Sequence, residues 1–530
     1  MSSNNWNPSQ EYTKQEEAVL KRVRRRRKLF AFLREHRHEL FDNEFQWELA
    51  AMYRDSGAGK TPVPPALMAM AALLQGYTGA SDAEVVDLTA VDQRWKLVLD
   101  RLGETTPAFS QGAFWSFRER LIREDMDRRL LERTVELAKK YGGFDWKKLP
   151  KKLQVAMDSS PLEGAGRVED TLNLLAHAAR KLVAAIAVLL GMSFADVATA
   201  AGIPLLLESS VKAGLDQQWD KPGAANAALA CLVEQLDSLE DWVADAISAE
   251  TVSPTVENIC ETLRVIRAQD VTDESGQPEI RQGTAKDRQI SVEDSEMRHG
   301  RKSRSKKVNG YQRHIAVDLS TTLILACCVQ PANQAESDAA EDMADDIEAQ
   351  GRTIDELYID RGYLASSLVA EVERRGEVVC RPWPANNNKG LFCKTDFDIN
   401  VRDKLITCPS GQTKPIEFGK TVKFDGAVCD ECPMRSECTD AKPGRGRTVR
   451  IASDEKFQKR LRKKAATAHG REKLRKRVTV EHKLAHIGQR QGNRARYKGT
   501  RKNLFDLRRA AAVHNLETIQ RVGFGSAKAA

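Results

Sequence analysis

Four apolar runs between residues 314 and 380 restrict the fold more than any other part of the chain. Residues 314–317 and 323–329, separated by a short polar turn, predict a β-hairpin. An acidic helix, a strand at 357–359, a second helix and a strand at 378–380 follow. A hairpin followed by strand–helix–strand predicts a mixed α/β sheet, and an upstream apolar run, residues 153–157, adds a further strand.

Two of these predicted strands are each followed by an aspartate. Asp158 ends the run 153–157, and Asp360 ends the run 357–359. If the two strands are neighbours, both carboxylates emerge at the same edge of the sheet, where α/β proteins form their sites. Aspartate is also a common turn residue, so either residue alone is compatible with a purely structural role.

Glu481 is the third candidate. It and Glu472 are the only acids between Lys456 and Lys502, a segment that contains 18 lysines and arginines. Arg477 precedes Glu481 by one helical turn, so Glu481 is either half of an ordinary ion pair or a metal ligand placed where DNA phosphates arrive. Three carboxylates supply the hard oxygen ligands that Mg²⁺ or Mn²⁺ requires, and two such ions can promote phosphoryl transfer.

The positive charge of the chain is concentrated in this segment. It carries +16 and the full chain +8, so the remaining residues sum to −8. One basic strip on an otherwise acidic protein is expected of a nucleic-acid binder, although an ordinary solvated surface is the alternative. A second basic stretch, residues 298–307, is either a solvated linker or a phosphate-contacting loop. The residues predicted to contact DNA are Arg301, Lys302, Arg475, Lys476, Lys483, Arg490, Arg494, Arg496, Lys498, Arg501 and Lys502.

Four cysteines lie close together in the sequence. Cys408 is followed by Cys429, Cys432 and Cys438, and the middle two form a Cys-x-x-Cys pair. One such pair with two outlying cysteines indicates a structural Zn²⁺ site with moderate specificity. The alternative is four reduced surface thiols.

The chain length of 530 residues predicts three to four domains at about 150 residues each. The sequence contains no secretory signal and no uninterrupted 18-residue apolar run, so we expect a cytoplasmic protein without a membrane partner. Residues 57–61 look like the end of a phosphate-binding loop, but Arg54 stands where the first glycine is needed. Trp383 is either buried or placed to stack on an unpaired base.

The order of these motifs resembles the DDE transposases of bacterial insertion sequences. Asp360 to Tyr363 matches the Asp-x-Gly-aromatic motif of that family, and Arg477 and Glu481 match its Tyr-Arg-Glu-Lys signature. Leu474 occupies the Tyr position and Gly488 the Lys position, with Lys483 as a substitute for the lysine. The N-terminal helical stretch and the C-terminal helix also resemble members of this family, which include a subgroup with a similar Cys-rich insert.

The resemblance implies an RNase H-like catalytic domain, an α/β fold, in three pieces: residues 150–175, 305–382 and 455–520. Around it we expect a disordered tail (1–20), an all-α DNA end-binding domain (21–145), a helical insert with a linker (176–304) and a Cys-rich insert (383–452).

The resemblance also implies an activity: Asp158, Asp360 and Glu481 would hold two Mg²⁺ or Mn²⁺ ions, with Arg477 orienting Glu481 or contacting a phosphate. The reaction would be cleavage of double-stranded DNA at the terminal inverted repeats and 3′-hydroxyl transfer into target DNA. The partner would be a second copy of the chain in a synaptic complex at the bacterial nucleoid. Two alternatives stay open: a catalytically inactive DNA-binding regulator, and an RNase H-like nuclease that does not join strands.

Overall fold

The computed structural model describes residues 5–53, 62–140, 152–215, 217–247, 253–274, 276–302, 305–382 and 390–526. The sequence features at residues 57–61 and at Trp383 lie outside these ranges. The first part of the described chain is helical. Its helices are α1 (Lys14–Arg26), α2 (Lys28–Leu40), α3 (Asn43–Ala51), α4 (Pro65–Thr78), α5 (Asp82–Val91), α6 (Gln93–Leu99), α7 (Gln111–Arg123) and α8 (Met126–Lys140).

Two helix starts in this region follow the sequence signals. Helix α4 begins at Pro65, where the missing amide hydrogen of proline is tolerated. Helix α7 begins after Ser110, whose side chain accepts a hydrogen bond from the Ala113 amide. The expected all-α N-terminal region is therefore present.

The expectation of a disordered tail over residues 1–20 is wrong for the part that is described. Trp6 is buried, and its amide donates to the Gln46 side chain over 2.7 Å. Thr13 and Glu16 form a capping box that starts α1 well before residue 20. Besides Trp6, hydrogen bonds from Arg34 and Arg37 of α2 to backbone carbonyls of Glu11 and Ser9 hold this otherwise polar segment.

The central sheet has six strands in the described residues. The first is β1 (Lys152–Glu163); a separate hairpin of β2 (Val271–Thr272) and β3 (Glu279–Ile280) intervenes before the other five. These are β4 (Arg298–Arg301), β5 (Lys307–Asp318), β6 (Ile324–Pro331), β7 (Thr353–Ile359) and β8 (Glu377–Cys380). The strand order is β4-β5-β1-β7-β8, with β6 also paired to β5. Strands β1, β5 and β6 are antiparallel, whereas β7 and β8 continue the sheet in parallel to β1. This is the RNase H-like mixed sheet that was expected.

Strand β1 is longer than the sequence indicated. It continues through Asp158 and Ser159 to Glu163, and every residue from Val155 onward pairs with β5. Asp158 therefore lies within the strand, not at its end. The apolar pattern stops at Met157 because the second half of the strand lines a polar cleft.

The segment between β1 and β5 forms a helical unit with its own apolar core. Its helices are α9 (Thr171–Leu190), α10 (Phe194–Ala200), α11 (Val211–Gly214), α12 (Ala224–Ala246) and α13 (Pro254–Asp270), and the hairpin β2–β3 follows them. Helix α9 is long and apolar enough to cross a membrane by composition alone, but half of it is buried in this core. Residues 298–301, expected in a linker or loop, form the edge strand β4 instead because they pair with β5.

The Cys-rich segment is a third unit with a small core. It contains β9 (Asp398–Asn400), β10 (Leu405–Thr407), β11 (Thr413–Pro415), β12 (Thr421–Lys423), α16 (Gly426–Asp430), α17 (Arg435–Cys438) and β13 (Thr448–Arg450).

Six further helices cover the central sheet. They are α14 (Asp338–Glu348), α15 (Ser367–Arg375), α18 (Glu455–Ala466), α19 (Ala468–Lys476), α20 (Val478–Gln491) and α21 (Thr500–Ser526). Helix α14 packs on β6, and α20 packs on β1 and β5. Helix α21 contacts β6, α8 and α4, so it joins the sheet to the N-terminal helices in one continuous core.

Candidate active site

The two aspartates lie side by side on neighbouring strands. Strands β1 and β7 pair in parallel, with Ala156 opposite Tyr358, and the same register places Asp158 level with Asp360. Each carboxylate accepts a hydrogen bond from the amide of the next residue, Ser159 at 2.9 Å and Arg361 at 2.7 Å. The adjacency expected from the sequence is therefore present, and both side chains have fixed orientations.

Glu481 reaches the same place from helix α20. Arg477, immediately before that helix, lies at the centre of the three carboxylates. Its guanidinium is 2.7 Å from Glu481, 3.9 Å from Asp158 and 4.0 Å from Asp360. Its Nη1 atom is buried and has no hydrogen-bond partner among the described residues. One cation thus joins residues that are more than 300 positions apart in the chain.

The three carboxylates differ in their exposure. The Asp158 side chain is 16% exposed, whereas Asp360 and Glu481 are about half exposed. Burial raises the pKa of Asp158 to about 6, against the opposing effects of the Ser159 amide and the Arg477 charge. Asp158 is consequently the carboxylate that gains most from a cation placed beside it.

The carboxylates line an open cleft of about 1010 Å³. Its lining includes Arg301 and Lys302, which the sequence predicted as DNA contacts, and Arg361, which directly follows Asp360 in the Asp360–Tyr363 motif. It also includes two charged residues that the sequence did not single out, Arg313 on β5 and Glu336 after β6. No local pattern marks these two, because only long-range contacts with β1 bring them to the cleft.

In the described ranges, no group of three or more His, Cys, Asp or Glu side chains is spaced closely enough to hold a metal ion as it stands. In the cleft, the Arg477 guanidinium occupies the space between the carboxylates. The donor set consists of carboxylate oxygens, which suit a hard divalent cation.

Four of the predicted DNA-contact residues are exposed and make no ion pair within the described part of the chain. They are Arg301, Lys302, Arg475 and Lys476. The first two stand at the rim of the cleft, and the other two precede Arg477 on α19. All four are therefore available to phosphate groups.

Other predicted DNA contacts are engaged within the protein. Four are held by carboxylates: Arg490 by Glu517, Lys498 by Glu293, Arg501 by Asp127 and Lys502 by Glu119. Two donate to backbone carbonyl groups: Arg494 to Ala165, and Arg496 to Gly79 and Ala80. Part of the basic strip therefore forms ion pairs and hydrogen bonds that connect the sheet, the helical insert and the N-terminal helices.

The prediction for Lys483 needs correction. This side chain is only 8% exposed, and burial lowers its pKa to about 8. It points into the packing between α20 and α21 and does not reach the surface where a phosphate would lie. A lysine within a basic run is buried when it lies on the face of the helix that packs against the protein.

The four clustered cysteines surround one cavity in the Cys-rich unit. Cys408, Cys429 and Cys438 pack against its small core, and the Gln412 amide donates to Cys408 Sγ over 3.2 Å. Burial raises the pKa of Cys438, and the three neighbouring thiols act in the same direction. The structure therefore places all four cysteines around one cavity, but not at the spacing of a metal site as they stand.

The strand order and the carboxylate cleft define a protein of the RNase H-like class. Comparison with family models gives two matches: residues 281–516 match the Transposase DDE domain, and residues 19–120 match the Transposase domain (DUF772). The chain belongs to the DDE transposases of insertion sequences. The first match includes Asp360 and Glu481, whereas Asp158 lies upstream of it. No curated protein and no solved structure matches significantly.

Proposed function

We propose that this chain cleaves DNA at the ends of its element and transfers the freed 3′-hydroxyl into target DNA. The observation that carries the proposal is the convergence of Asp158, Asp360 and Glu481 on the Arg477 guanidinium. Carboxylates that share one cation in this way are suited to hold divalent cations beside a phosphate.

Asp158, Asp360 and Glu481 are the residues that would hold two Mg²⁺ or Mn²⁺ ions. The buried Nη1 of Arg477 supports this fit. It makes no hydrogen bond among the described residues but lies 3.9 Å from Asp158 and 4.0 Å from Asp360, so a positive charge already stands where the carboxylates meet. Such ions supply Lewis-acid polarisation of the phosphate and activation of the attacking hydroxyl.

The chain itself supplies position and charge. Arg301 and Lys302 at the rim would hold the DNA backbone, so that the reacting phosphate lies over the carboxylates. Phosphoryl transfer of this kind needs alignment and charge neutralisation and requires no covalent enzyme intermediate. Two copies of the chain in a synaptic complex would bring both element ends and the target together.

Arg313 supports an active enzyme over an inactive regulator. Gly488 stands where the family signature has lysine, and the Arg313 guanidinium lies directly beside Gly488. Burial lowers the pKa of Arg313 to about 10, so it is still a cation at neutral pH. Arg313 on β5 thus supplies the positive charge that α20 lacks at Gly488. Hydrogen bonds to Ser160 and Gln491 hold the Arg313 side chain in place.

The test is Mn²⁺-dependent nicking of DNA that carries the flanking element ends. Asp158→Asn, Asp360→Asn and Glu481→Gln are each expected to lower nicking more than about 100-fold, as expected when a group that stabilises transition-state charge is lost. End binding should survive in all three variants. Glu472→Gln is the matched control, because Glu472 is the other acid of the basic strip and is exposed on α19.

Nicking by any of the three variants at the wild-type rate would contradict the assignment. A wild-type protein that binds ends but never nicks would favour the DNA-binding regulator. Adding a target plasmid separates the remaining alternative, because nicking without joined product identifies a nuclease that does not transfer strands.

The Cys-rich unit is proposed to hold one structural Zn²⁺ through Cys408, Cys429, Cys432 and Cys438. Four thiols around one cavity form a soft donor set that suits this ion. We expect about one zinc per chain by mass spectrometry and its loss in Cys432→Ser. The control is Cys231→Ser, which alters an exposed cysteine on α12. Equal zinc content in both variants would contradict the site.

A further inference from the structure

A fourth carboxylate, Glu336, borders the cleft from the other face of the sheet. It lies between β6 and α14, and its Oε1 accepts a hydrogen bond from the Ser159 hydroxyl. Successive side chains of a strand point to opposite faces. Asp158 therefore points towards α20, and the next residue, Ser159, points towards Glu336.

Ser159 is also connected to the turn that follows Asp360. The buried Tyr363 hydroxyl hydrogen-bonds with Ser159 and lies 2.7 Å from His314 Nδ1. Ser159 therefore contacts both the Glu336 carboxylate, to which it donates, and the Tyr363 hydroxyl. These polar contacts join His314, Tyr363, Ser159 and Glu336.

Gly362 provides a second contact between Glu336 and the same turn. A β-carbon placed on Gly362 would overlap the Oε2 atom of Glu336. The backbone φ at this position is not positive, so the requirement for glycine comes from close approach and not from backbone conformation. One Glu336 oxygen therefore binds β1, and the other packs on the turn after β7.

These contacts act on the residues that orient the two aspartates. Asp158 accepts from the amide of Ser159, and Asp360 accepts from the amide of Arg361, next to Gly362. Any shift of Ser159 relative to the turn would therefore move one carboxylate relative to the other.

We propose that Glu336 is a positioning residue, which holds β1 and the turn after β7 together and thereby sets the separation of Asp158 and Asp360. The inference rests on the proposed function in one respect, because it takes this separation to matter for metal binding. It assigns a role to the glycine and the aromatic residue of the Asp360–Tyr363 motif, because Gly362 packs against Glu336 and Tyr363 contacts Ser159.

The test is titration of the full-length protein with Mn²⁺, following free Mn²⁺ by electron paramagnetic resonance without DNA. Glu336→Ala is expected to raise the apparent Kd about tenfold or more, as found for residues that support metal ligands from outside. Glu336→Gln should have a smaller effect, since its amide oxygen can still accept from Ser159. Ser159→Ala should raise the Kd in the same direction, and its small side-chain change keeps the test available if Glu336→Ala does not fold.

The control is Glu341→Ala, an exposed carboxylate on α14 away from the cleft. We expect wild-type Mn²⁺ affinity for it and melting temperatures close to wild type for all variants. Wild-type affinity in Glu336→Ala and Ser159→Ala would overturn the positioning role alone. Wild-type affinity in Asp158→Asn would instead overturn the metal site of the proposed function. A wild-type protein that binds no Mn²⁺ would overturn both.

Discussion

The Arg477 guanidinium lies 2.7 Å from the Glu481 carboxylate, one turn away at the start of α20, and the same group faces both aspartates from about 4 Å. This arrangement is at once an ordinary helical ion pair and the meeting point of three distant chain segments. The two interpretations offered by the sequence are therefore compatible, and under the proposed function Arg477 would compete with a metal ion for the same carboxylates.

Replacing Arg477 with Gln should strengthen metal binding and weaken catalysis. Without the competing cation, the carboxylates should bind Mn²⁺ about tenfold more tightly, which corresponds to about 1.4 kcal/mol. Nicking should fall because Glu481 loses the group that orients it. The control is Arg471→Gln, which alters an exposed arginine of α19 that is not among the predicted DNA contacts. Weaker Mn²⁺ binding in Arg477→Gln would show that the arginine supports the metal site and does not compete with it.

The rim of the cleft should account for part of the salt dependence of DNA binding. Removal of one cation that binds a phosphate lowers the slope of log K against log salt by about 0.9. The double variant Arg301→Gln, Lys302→Gln should therefore lower the slope by about 2, measured by fluorescence anisotropy. Lys498→Gln should leave it unchanged, because Lys498 is already paired with Glu293. An unchanged slope in the double variant would place the DNA elsewhere.

A buried ion-pair cluster should dominate the attachment of α21. Arg508 is 6% exposed in its side chain and contacts Asp127, which is 2% exposed, together with Asp125 and Asp346. Arg508→Met removes the most buried cation of this cluster and leaves Asp127 to Arg501 and Asp346 to Arg128, so urea unfolding should show a loss of about 3 kcal/mol. Lys502→Met removes an exposed pair with Glu119 and should cost less than about 1 kcal/mol. Similar losses in both variants would contradict this distinction.

Acid should destabilise the fold through a buried histidine on α21. Burial lowers the pKa of His514 to about 3, and the nearby charges of Lys483, Arg521, His486 and Arg490 act in the same direction. Between about pH 3 and 6.5 the unfolded chain binds this proton and the folded chain does not, so stability falls as pH falls. Melting temperature should decline from pH 7 to 5, and His514→Gln should reduce the decline. An equally steep decline in that variant would assign the effect to other groups.

The sequence predicted the parts of the fold that leave local patterns. The hairpin β5–β6 and the parallel strands β7 and β8 were visible as apolar runs, and the helix starts at Pro65 and Ser110 followed known capping chemistry. The full length of β1 was not predictable in this way, because Ser159 and Ser160 hydrogen-bond to the charged side chains of Glu336 and Arg313 and break the apolar pattern.

The site was predictable only as far as its residues lie beside recognisable elements. Asp158 and Asp360 each follow an apolar run, and Glu481 is conspicuous as an acid among cations. Arg313 and Glu336 follow no such pattern. Arg313 reaches the cleft through pairing of β5 with β1, and Glu336 through the hydrogen bond from Ser159, each over more than 150 residues. The same limit explains Lys483, whose burial depends on which face of α20 meets α21.

The packing of α20 and α21 against the sheet has a consequence for synthesis on the ribosome. Asp158 and Asp360 are synthesised before Glu481 and before α21, the helix that covers β6. A chain that ends before residue 481 would therefore have two of the three carboxylates and an uncovered strand. Under the proposed function, such an unfinished chain would be unable to act on DNA.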